Sequence, residues 1–511
     1  MCLGLFLTMV ETTITATALI SIGNYFNESL KVTWVVLSYL LTYMGFSLIF
    51  ARMSDGIGRK WAVITAWVLF SGFSLASGLA QSMNQLIVFR AIEGIGGSGL
   101  YSMAMIILPQ ITAVRLWGVV SGLIGITFAF SAVFGPLLGG VITSHATWRW
   151  IYLFNAPAAV IAVPLFLAAW PKSPTYDSRR LGPNKIDIPG GVLLLVASAL
   201  VVFAIQEAGS GRYKWNSPTI IVSLVVSGSS WCAFIGWIMW LESGQKLLSI
   251  TPTISRSVVL KRPTGPAILT YSSFYRMCFL TGGPFFVATI NLPIRFQIVN
   301  GDTPTMAGVR LLPMLAAAAF GGAIGGAISS KKNLTSYQLI GAACFMLVGS
   351  GLLSTVSNGP GISPALYGYQ VLLGLGIGIT LSSYTLLVAL SNSYRNVASA
   401  QGAIVQTRVL GGSVGLAIAS MLLNRDIAKE LPGFLTPLQI SDLQQSLYTL
   451  SNLDQLQKEK VAAVFASSFR TQMRVSAYFS AAAVVVGLFT WQRHPASVSE
   501  NKARQAALAN A

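Results

Sequence analysis

The sequence predicts an all-α, polytopic membrane protein with fourteen transmembrane helices. Hydrophobic residues make up 54% of the 511 residues and charged residues only 9%, and the mean hydropathy is +0.67. The apolar residues form runs of about twenty, the length that an α-helix needs to cross a bilayer. A soluble globule of this length does not have such a composition. The lipid bilayer is therefore the expected surrounding of the chain.

Composition also argues against several classes of function. The formal net charge is +18, but the Lys and Arg residues stand singly or in pairs between apolar runs, which indicates membrane topology rather than a nucleic-acid site. The four cysteines are scattered and lack the spacing of a disulfide framework or a metal site. Only His145 and His494 are available for histidine-based catalysis. We therefore predict no enzyme activity, no metal and no cofactor.

The first apolar run extends from residue 1 to about Ile22 and carries Glu11 midway. A carboxylate inside a membrane span is expensive and is a functional candidate by default; the alternative is a carboxylate that is hydrogen-bonded for packing. No charged flank of a signal peptide precedes the run, so a truncated start is an open alternative. Asn27 begins the sequon Asn-Glu-Ser just after the run and is a candidate glycosylation site.

A short polar turn with the sequence ARMSDGIGRK follows the second span, residues 32–50. Its candidate functional residues are Asp55, Gly56, Gly58, Arg59 and Lys60. The glycines supply the backbone angles of a tight turn, and the cations mark the cytoplasmic side. The alternative for this segment is a solvated basic turn.

Helix three is predicted over residues 61–80 and helix four over residues 85–108, which include the sequence FRAIEGIGGSG. An arginine inside a span costs roughly 3 kcal/mol on insertion scales, so Arg90 must face water or a partner. Glu93 follows three residues later and shares the same helical face, so the two side chains are expected to pair. A purely structural ion pair is the alternative.

The fifth span contains the sequence GITFAFSAVFGPLLGG and no charged residue. Pro136 removes a backbone donor and is predicted to disrupt the helix next to Gly135. Gly139 and Gly140 leave a smooth face for close contact with another helix. A bent helix with a small-residue face is expected at an interface between parts of the protein that move relative to each other. An ordinary packing kink is the alternative.

The remaining spans complete an arrangement of six, two and six helices. Span six follows Trp148, spans seven and eight are predicted over residues 188–206 and 220–241, and the later spans over residues 267–296, 306–328, 337–356, 365–390, 398–423 and 475–491. We predict an N-terminal six-helix bundle at 1–171, basic linkers with two inserted helices at 172–265, a C-terminal bundle at 266–492 that includes an extracellular segment at 425–470, and a cytoplasmic tail at 493–511. With the Asp55 turn inside, the loops rich in Lys and Arg alternate as a cytoplasmic side requires.

An internal repeat relates the two halves of the chain. The sequence GYQVLLGLGIG in span twelve aligns with FRAIEGIGGSG in span four, which places Gln370 opposite Arg90 and Leu373 opposite Glu93. Two glycines of span four are retained in span twelve, whereas its two charged residues are replaced by uncharged ones. Such halves are suited to rocking about a site at the membrane midplane, with proton chemistry in the first half.

Together these motifs resemble the fourteen-helix drug:proton antiporters of the major facilitator superfamily, and the similarity covers essentially the whole chain. It rests on the turn after span two, the Arg90 segment, the TWRWIYLFNAP segment at span six, and fungal-type segments in spans nine, ten and thirteen. In span five the matching residues are Gly125, Gly135, Pro136, Gly139 and Gly140. The chain departs from the family pattern at Glu11, Glu93 and Arg295, where Asp, Gln and an aromatic residue are usual.

The resemblance implies roles for these residues. The Asp and Arg of the turn act as a gating latch in the family, so Asp55, Gly56, Gly58, Arg59 and Lys60 are the expected gate. The arginine of helix four is implicated in proton coupling, so Arg90, Glu93 and Glu11 are the expected proton-coupling residues. The glycines and the proline of span five correspond to the antiporter motif.

Candidate substrate-pocket residues can only be inferred from residue type. Tyr271, Tyr275 and Arg276 lie in or beside span nine, and Gln297 and Arg408 belong to the family-like segments. An aromatic, sparsely polar cavity would accept amphipathic organic compounds. The alternative is that these aromatics face lipid or neighbouring helices.

The expected function is proton-coupled efflux of lipophilic small molecules, such as drugs, toxins or secondary metabolites, by alternating access. We expect a monomer in the plasma membrane. One alternative is a vacuolar exchanger of basic amino acids for protons, in which Glu11 and Glu93 serve a cationic substrate. A transporter-like sensor that moves no solute is the other alternative.

Overall fold

The fold is described from a computed structural model. It describes residues 1–28, 31–112, 117–170, 188–209, 213–243, 266–329, 334–359, 361–391, 397–436, 439 and 453–490. The predicted basic linkers and the predicted cytoplasmic tail lie mostly or wholly outside these residues.

Fifteen α-helices make up nearly all of the described residues. In chain order they are α1 (Cys2–Phe26), α2 (Val32–Ile57), α3 (Arg59–Gly78), α4 (Met83–Ile111), α5 (Trp117–His145), α6 (Trp150–Leu153), α7 (Asn155–Ala169), α8 (Ile188–Gly209), α9 (Pro218–Ser243), α10 (Pro266–Ile298), α11 (Pro304–Ser329), α12 (Thr335–Leu353), α13 (Ala365–Ser391), α14 (Val397–Glu430) and α15 (Gln455–Leu488). The prediction of an all-α membrane protein is confirmed.

The predicted number of fourteen membrane spans is not confirmed by the described residues. Eleven helical segments in the described residues are long and apolar enough to cross a bilayer. Helix α15 is not among them, and the described side chains of α2 and α5 form shorter apolar stretches at Val32–Ser47 and Val133–His145. Polar residues lie along α15, from Lys458, Glu459 and Lys460 in its first turns to Gln472 and Arg474 near its middle. The count of fourteen therefore stays a prediction.

The two halves of the chain pack their helices in the same way. In the first half, a side chain at Gly94 would meet Tyr39 and Thr42 of α2, and one at Gly96 would meet Phe70 of α3. In the second half, Gly374 and Gly376 bring α13 equally close to α11 and α12. Only glycine leaves room for such backbone contact within a membrane bundle. The internal repeat of the sequence thus corresponds to a repeat in the packing.

The two halves meet mainly along two helix pairs. Helix α5 packs against α11, and α2 packs against α14. One hydrophobic cluster crosses this seam, with Tyr43 and Tyr101 on one side and Val405 and Val409 on the other. The seam is therefore largely apolar.

The inserted pair α8 and α9 lies beside the second contact, because α8 touches both α2 and α14. Trp34 of α2 donates to Glu207 of α8 over 2.9 Å, and Gln206 of α8 donates to Ser420 of α14 over 3.0 Å. The inserted pair thus binds to both halves at one edge of the seam.

The predicted extracellular segment 425–470 contains much more helix than expected. Helix α14 continues to Glu430 and α15 already begins at Gln455. Each is 34 residues long, or about 51 Å at 1.5 Å per residue, against a hydrocarbon core of about 30 Å. Leu431, which directly follows α14, and Phe465 of α15 form a buried cluster with Val299, which directly follows α10. This cluster holds the helices together at their outer ends, by which we mean the ends opposite the Asp55 turn.

Candidate functional site

Arg90 stands at the centre of a buried ionic cluster in the first half of the chain. Its Nη1 atom lies 2.6 Å from Oε1 of Glu11 on α1 and 3.1 Å from Oε2 of Glu93 on α4. All three side chains are at most 1% exposed. The structure thus brings together the three residues that the sequence predicts for proton coupling, and it adds Glu11 to the predicted pair of Arg90 and Glu93.

A second set of polar groups holds the two carboxylates in place. Asn155 at the start of α7 donates through Nδ2 to Oε2 of Glu11 over 2.9 Å and to Oγ of Ser74 over 2.8 Å. Ser77, also on α3, donates to Oε2 of Glu93 over 3.3 Å. The cluster therefore joins helices α1, α3, α4 and α7. Sequence reasoning noted Asn155 only as part of a resemblance and missed both serines, because a serine in a membrane helix more often binds its own backbone.

The remaining surface of the guanidinium group is covered by aromatic rings and backbone. Its carbon lies 4.3 Å from the ring centre of Tyr39 and 5.1 Å from that of Tyr152. Nε donates to the carbonyl oxygen of Val35 on α2 over 3.3 Å. A cation is stabilised over an aromatic face when it is removed from water. The sequence offered no signal for the two tyrosines beyond their aromatic character.

The charges of this cluster do not balance. Two carboxylates face one guanidinium group, so the ionised cluster carries a net charge of −1, and one bound proton makes it neutral. Oε1 of Glu93 has no hydrogen-bond partner. Buried charge is costly unless it is paired. This imbalance makes the cluster a candidate site for binding and releasing one proton.

The glycines of α5 connect this cluster to the other half of the chain. On one face, a side chain at Gly135 would meet Thr13 of α1, and one at Gly139 would meet the carbonyl oxygen of Ile14. These α1 residues lie within one turn of Glu11. Helix α5 therefore fits closely against the helix that carries one of the two carboxylates.

The neighbouring face of α5 touches α11. A Cβ atom at Gly140 would lie 2.5 Å from the carbonyl oxygen of Pro304, and a Cβ atom at Gly308 of α11 would meet the carbonyl oxygen of Pro136. Thr305 of α11 donates to the carbonyl oxygen of Gly140 over 3.0 Å. The predicted helix disruption at Pro136 is not present, because α5 continues through it.

The predicted gate is described only in part. Gly58 ends α2 with a φ of 92°, a conformation that favours glycine. Arg59 donates to Oγ of Ser54, and Lys60 is half-buried. The side chain of Asp55 and the surroundings of Gly56 and of Gly125 in α5 lie outside the described residues. The gating role remains a prediction.

The predicted pocket residues are spread along the bundle. Tyr275 and Gln297 both lie on α10 and are 22 residues apart, about 33 Å along a helix. Arg276 is exposed, whereas Arg408 is half-buried. Gln297 instead donates to the carbonyl oxygen of Thr17 on α1 over 3.2 Å. Tyr275 and Gln297 therefore do not come together around one small molecule.

Three remaining predictions concern Tyr271, the glycosylation of Asn27 and metal binding. The side chain of Tyr271 lies outside the described residues. Asn27 is exposed at the end of α1 with a φ of 54°, and its glycosylation remains a prediction. No group of three or more His, Cys, Asp or Glu residues that could hold a metal occurs in the described part of the chain.

Comparison with known proteins places the chain among membrane transporters. The family model of the Major Facilitator Superfamily matches residues 1–416. The MFS-type transporter FPY5 of Fusarium mangiferae is 35% identical over 509 residues, which are 97% of this chain and 83% of that protein. The rubrofusarin-specific efflux pump aurT of Gibberella zeae is 29% identical over 438 residues, 84% of this chain and 77% of that protein.

A solved structure shows the same fold. The crystal structure of a bacterial homologue of the human lysosomal transporter Spinster, in an inward-facing and occupied conformation, superposes with a TM-score of 0.64 and 14% identity. The match covers 96% of this chain and 97% of that chain. At this identity the likeness concerns the fold alone.

Proposed function

Because the chain belongs to the major facilitator superfamily and is a multi-pass membrane transporter of the efflux type, we propose that it exports lipophilic small molecules in exchange for protons. The observation that carries the proposal is the buried cluster of Glu11, Arg90 and Glu93. A cluster with one more carboxylate than cations has a place for one proton without leaving a net charge in the membrane.

Proton binding at this cluster acts on the seam between the halves through α1 and α5. A proton on Glu11 weakens its attraction for Arg90, because one of the two charges is lost. Glu11 lies on the helix whose Thr13 and Ile14 fit against the glycines of α5, and α5 in turn contacts α11. A small shift of α1 is thus transmitted to the contact between the two halves. Such rocking about a midplane site is how paired repeats alternate access.

Two observations support a lipophilic cargo. The seam between the halves is lined by an apolar cluster that includes Tyr43, Tyr101, Val405 and Val409. One relative bears a name that states export of rubrofusarin. Basic amino acids are a poorer fit, because both Glu11 and Glu93 already bind Arg90 and offer no free carboxylate pair to a cationic substrate.

Proteoliposomes that contain a pH-sensitive dye test this proposal. We expect planar lipophilic compounds to evoke proton movement and lysine or arginine to evoke none. Proton movement confined to the basic amino acids would instead assign the protein to the vacuolar exchangers. Absence of proton movement with every compound, while a labelled lipophilic compound still crosses the membrane, would contradict the coupling.

The proposed location is the plasma membrane, where efflux clears the cell of its cargo. Fluorescence microscopy of a tagged protein checks this, and a signal confined to the vacuole would contradict it.

A further inference from the structure

Arg295 is buried at the outer end of α10 without an anionic partner in the described residues. Its side chain is 3% exposed. Nη2 donates to the carbonyl oxygen of Ser357 over 2.9 Å, and the guanidinium carbon lies 5.3 Å from the ring centre of Phe469 on α15. Nε and Nη1 have no hydrogen-bond partner. This buried cation therefore presents two unused donor groups.

Arg470 of α15 binds the same short turn as Arg295, the turn that follows α12 and contains Ser357. Its Nε donates to the carbonyl oxygen of Ser354 over 3.2 Å, and its Nη1 donates to Oδ1 of Asn358 over 3.3 Å. Arg470 follows Phe469 directly and is close enough to Arg295 for the two charges to repel each other. The short turn after α12 is thus held between two arginines from α10 and α15.

Two other arginines of the described residues, one buried and one half-buried, are paired with carboxylates. Arg90 binds two carboxylates, and Arg310 lies 2.7 Å from Asp302 and donates to Tyr367. In the described residues Arg295 and Arg470 make no ion pair. A buried charge without a partner is costly, and unsatisfied buried donors add to that cost. The arrangement is accounted for if an anion completes it.

We propose that Arg295 and Arg470 form a binding site for an oxyanion at the outer end of the C-terminal bundle. Guanidinium groups are planar donors that match carboxylate, phosphate and sulfate groups, and charge-assisted hydrogen bonds to such groups are strong. The bound group takes up the free donors of Arg295 and offsets the repulsion from Arg470. It thereby ties α10, α15 and the turn after α12 together. This site is independent of the proton-coupling cluster.

Thermal unfolding of the purified full chain in detergent tests the site, with inorganic sulfate as the probe and chloride at equal ionic strength as the reference. We expect sulfate to raise the unfolding temperature of the wild type along a saturable curve. Arg295→Gln and Arg470→Gln should each weaken the apparent sulfate affinity about tenfold or more, because each removes a charge-assisted hydrogen-bond donor. The half-exposed Arg470 keeps the test valid if the Arg295 variant fails to fold.

Two control variants show whether sulfate acts at this site or elsewhere on the protein. Arg425→Gln removes a mostly exposed arginine that is paired with Asp426, and it should leave the sulfate response unchanged. Asp442 lies outside the described residues and is the acidic residue in the segment between 436 and 453. Asp442→Asn should also leave the response unchanged; if sulfate acts only after Asp442 is neutralised, that carboxylate is the counter-charge and the proposal is wrong. Equal responses of the wild type and Arg295→Gln would contradict it as well.

Measurements in two different lipids identify the source of the oxyanion. Nanodiscs of phosphatidylglycerol and of phosphatidylcholine are compared without sulfate. If a lipid phosphate fills the site, the stabilisation by phosphatidylglycerol is lost in Arg470→Gln, and sulfate adds little to it. If the site takes a free oxyanion, sulfate acts equally in both lipids. No response to sulfate or to phosphatidylglycerol in the wild type would overturn the proposal.

Discussion

Arg90→Ala is expected to reduce proton-driven transport to the level of empty liposomes. The substitution removes the single cation that faces Glu11 and Glu93, and it leaves two carboxylates in a cluster with no compensating charge. Breaking a buried ion pair in this way costs about 3–5 kcal/mol of stability. Transport of a labelled lipophilic compound under an imposed pH gradient, with folding checked by size-exclusion chromatography, measures the effect.

Two controls distinguish loss of coupling from loss of fold. Arg310→Ala removes an arginine that binds Asp302 at 2.7 Å, away from the cluster, and it should retain transport. The combination of Arg90→Ala with Glu11→Gln and Glu93→Gln carries no unpaired charge, so it should regain much of the lost stability without regaining proton-driven transport. Full transport by a folded Arg90→Ala protein would show that the cluster does not couple protons.

Gly308→Ala is expected to impair transport by separating α11 from α5. The added Cβ atom would meet the carbonyl oxygen of Pro136, which is backbone and cannot turn aside. Overpacking of this kind costs about 1–3 kcal/mol, and such an energy shifts an equilibrium between two states about 5- to 150-fold. The initial rate of proton-driven transport should fall by a factor in that range.

A second glycine of the same helix provides the matched control. A Cβ atom at Gly326 meets nothing within 4 Å, so Gly326→Ala should transport like the wild type. Both variants change one glycine of α11 to alanine and differ only in the contact with α5. Equal rates for the two variants would mean that close approach at Pro136 plays no part in the transport cycle.

The candidate site could be predicted in part, because a charge in a membrane span stands out in any sequence. Arg90 and Glu93 are three residues apart, so their pairing follows from helix geometry alone. The contact between Arg90 and Glu11 spans 79 positions of the chain and depends on how α1 packs against α4. Neither periodicity nor spacing contains that information. The Glu11 partner was thus foreseeable as a candidate but not as a contact.

The uncharged side chains that surround Arg90 could not be predicted from the sequence. Tyr39 and Tyr152 resemble the many aromatics that face lipid or neighbouring helices, and Ser74 and Ser77 resemble serines that bind their own backbone. Their roles become visible only when α2, α3 and the segment of α6 and α7 enclose Arg90. Polar groups of this kind are recruited by tertiary packing rather than by local sequence.

At the outer ends of α14 and α15, the helices are longer than the sequence predicts. Hydropathy predicted that the thirteenth span ends near residue 423 and that the last begins near residue 475, because the flanking segments contain charges. The structure extends both helices, since Leu431 and Phe465 belong to an apolar cluster that is buried by protein. Hydropathy detects contact with lipid and does not detect a helix whose apolar face is buried by protein.

The most direct measurement of the central claim is substrate-driven proton movement in the Glu11→Gln variant. Glutamine has nearly the same shape as glutamate, and its amide oxygen can still accept the hydrogen bond from Arg90 while the cluster becomes permanently neutral. We expect exchange of labelled for unlabelled lipophilic compound across the liposome membrane to persist, because it needs no net proton transfer. Proton movement driven by a gradient of that compound should disappear. Wild-type proton movement by this variant would show that the proton is carried elsewhere.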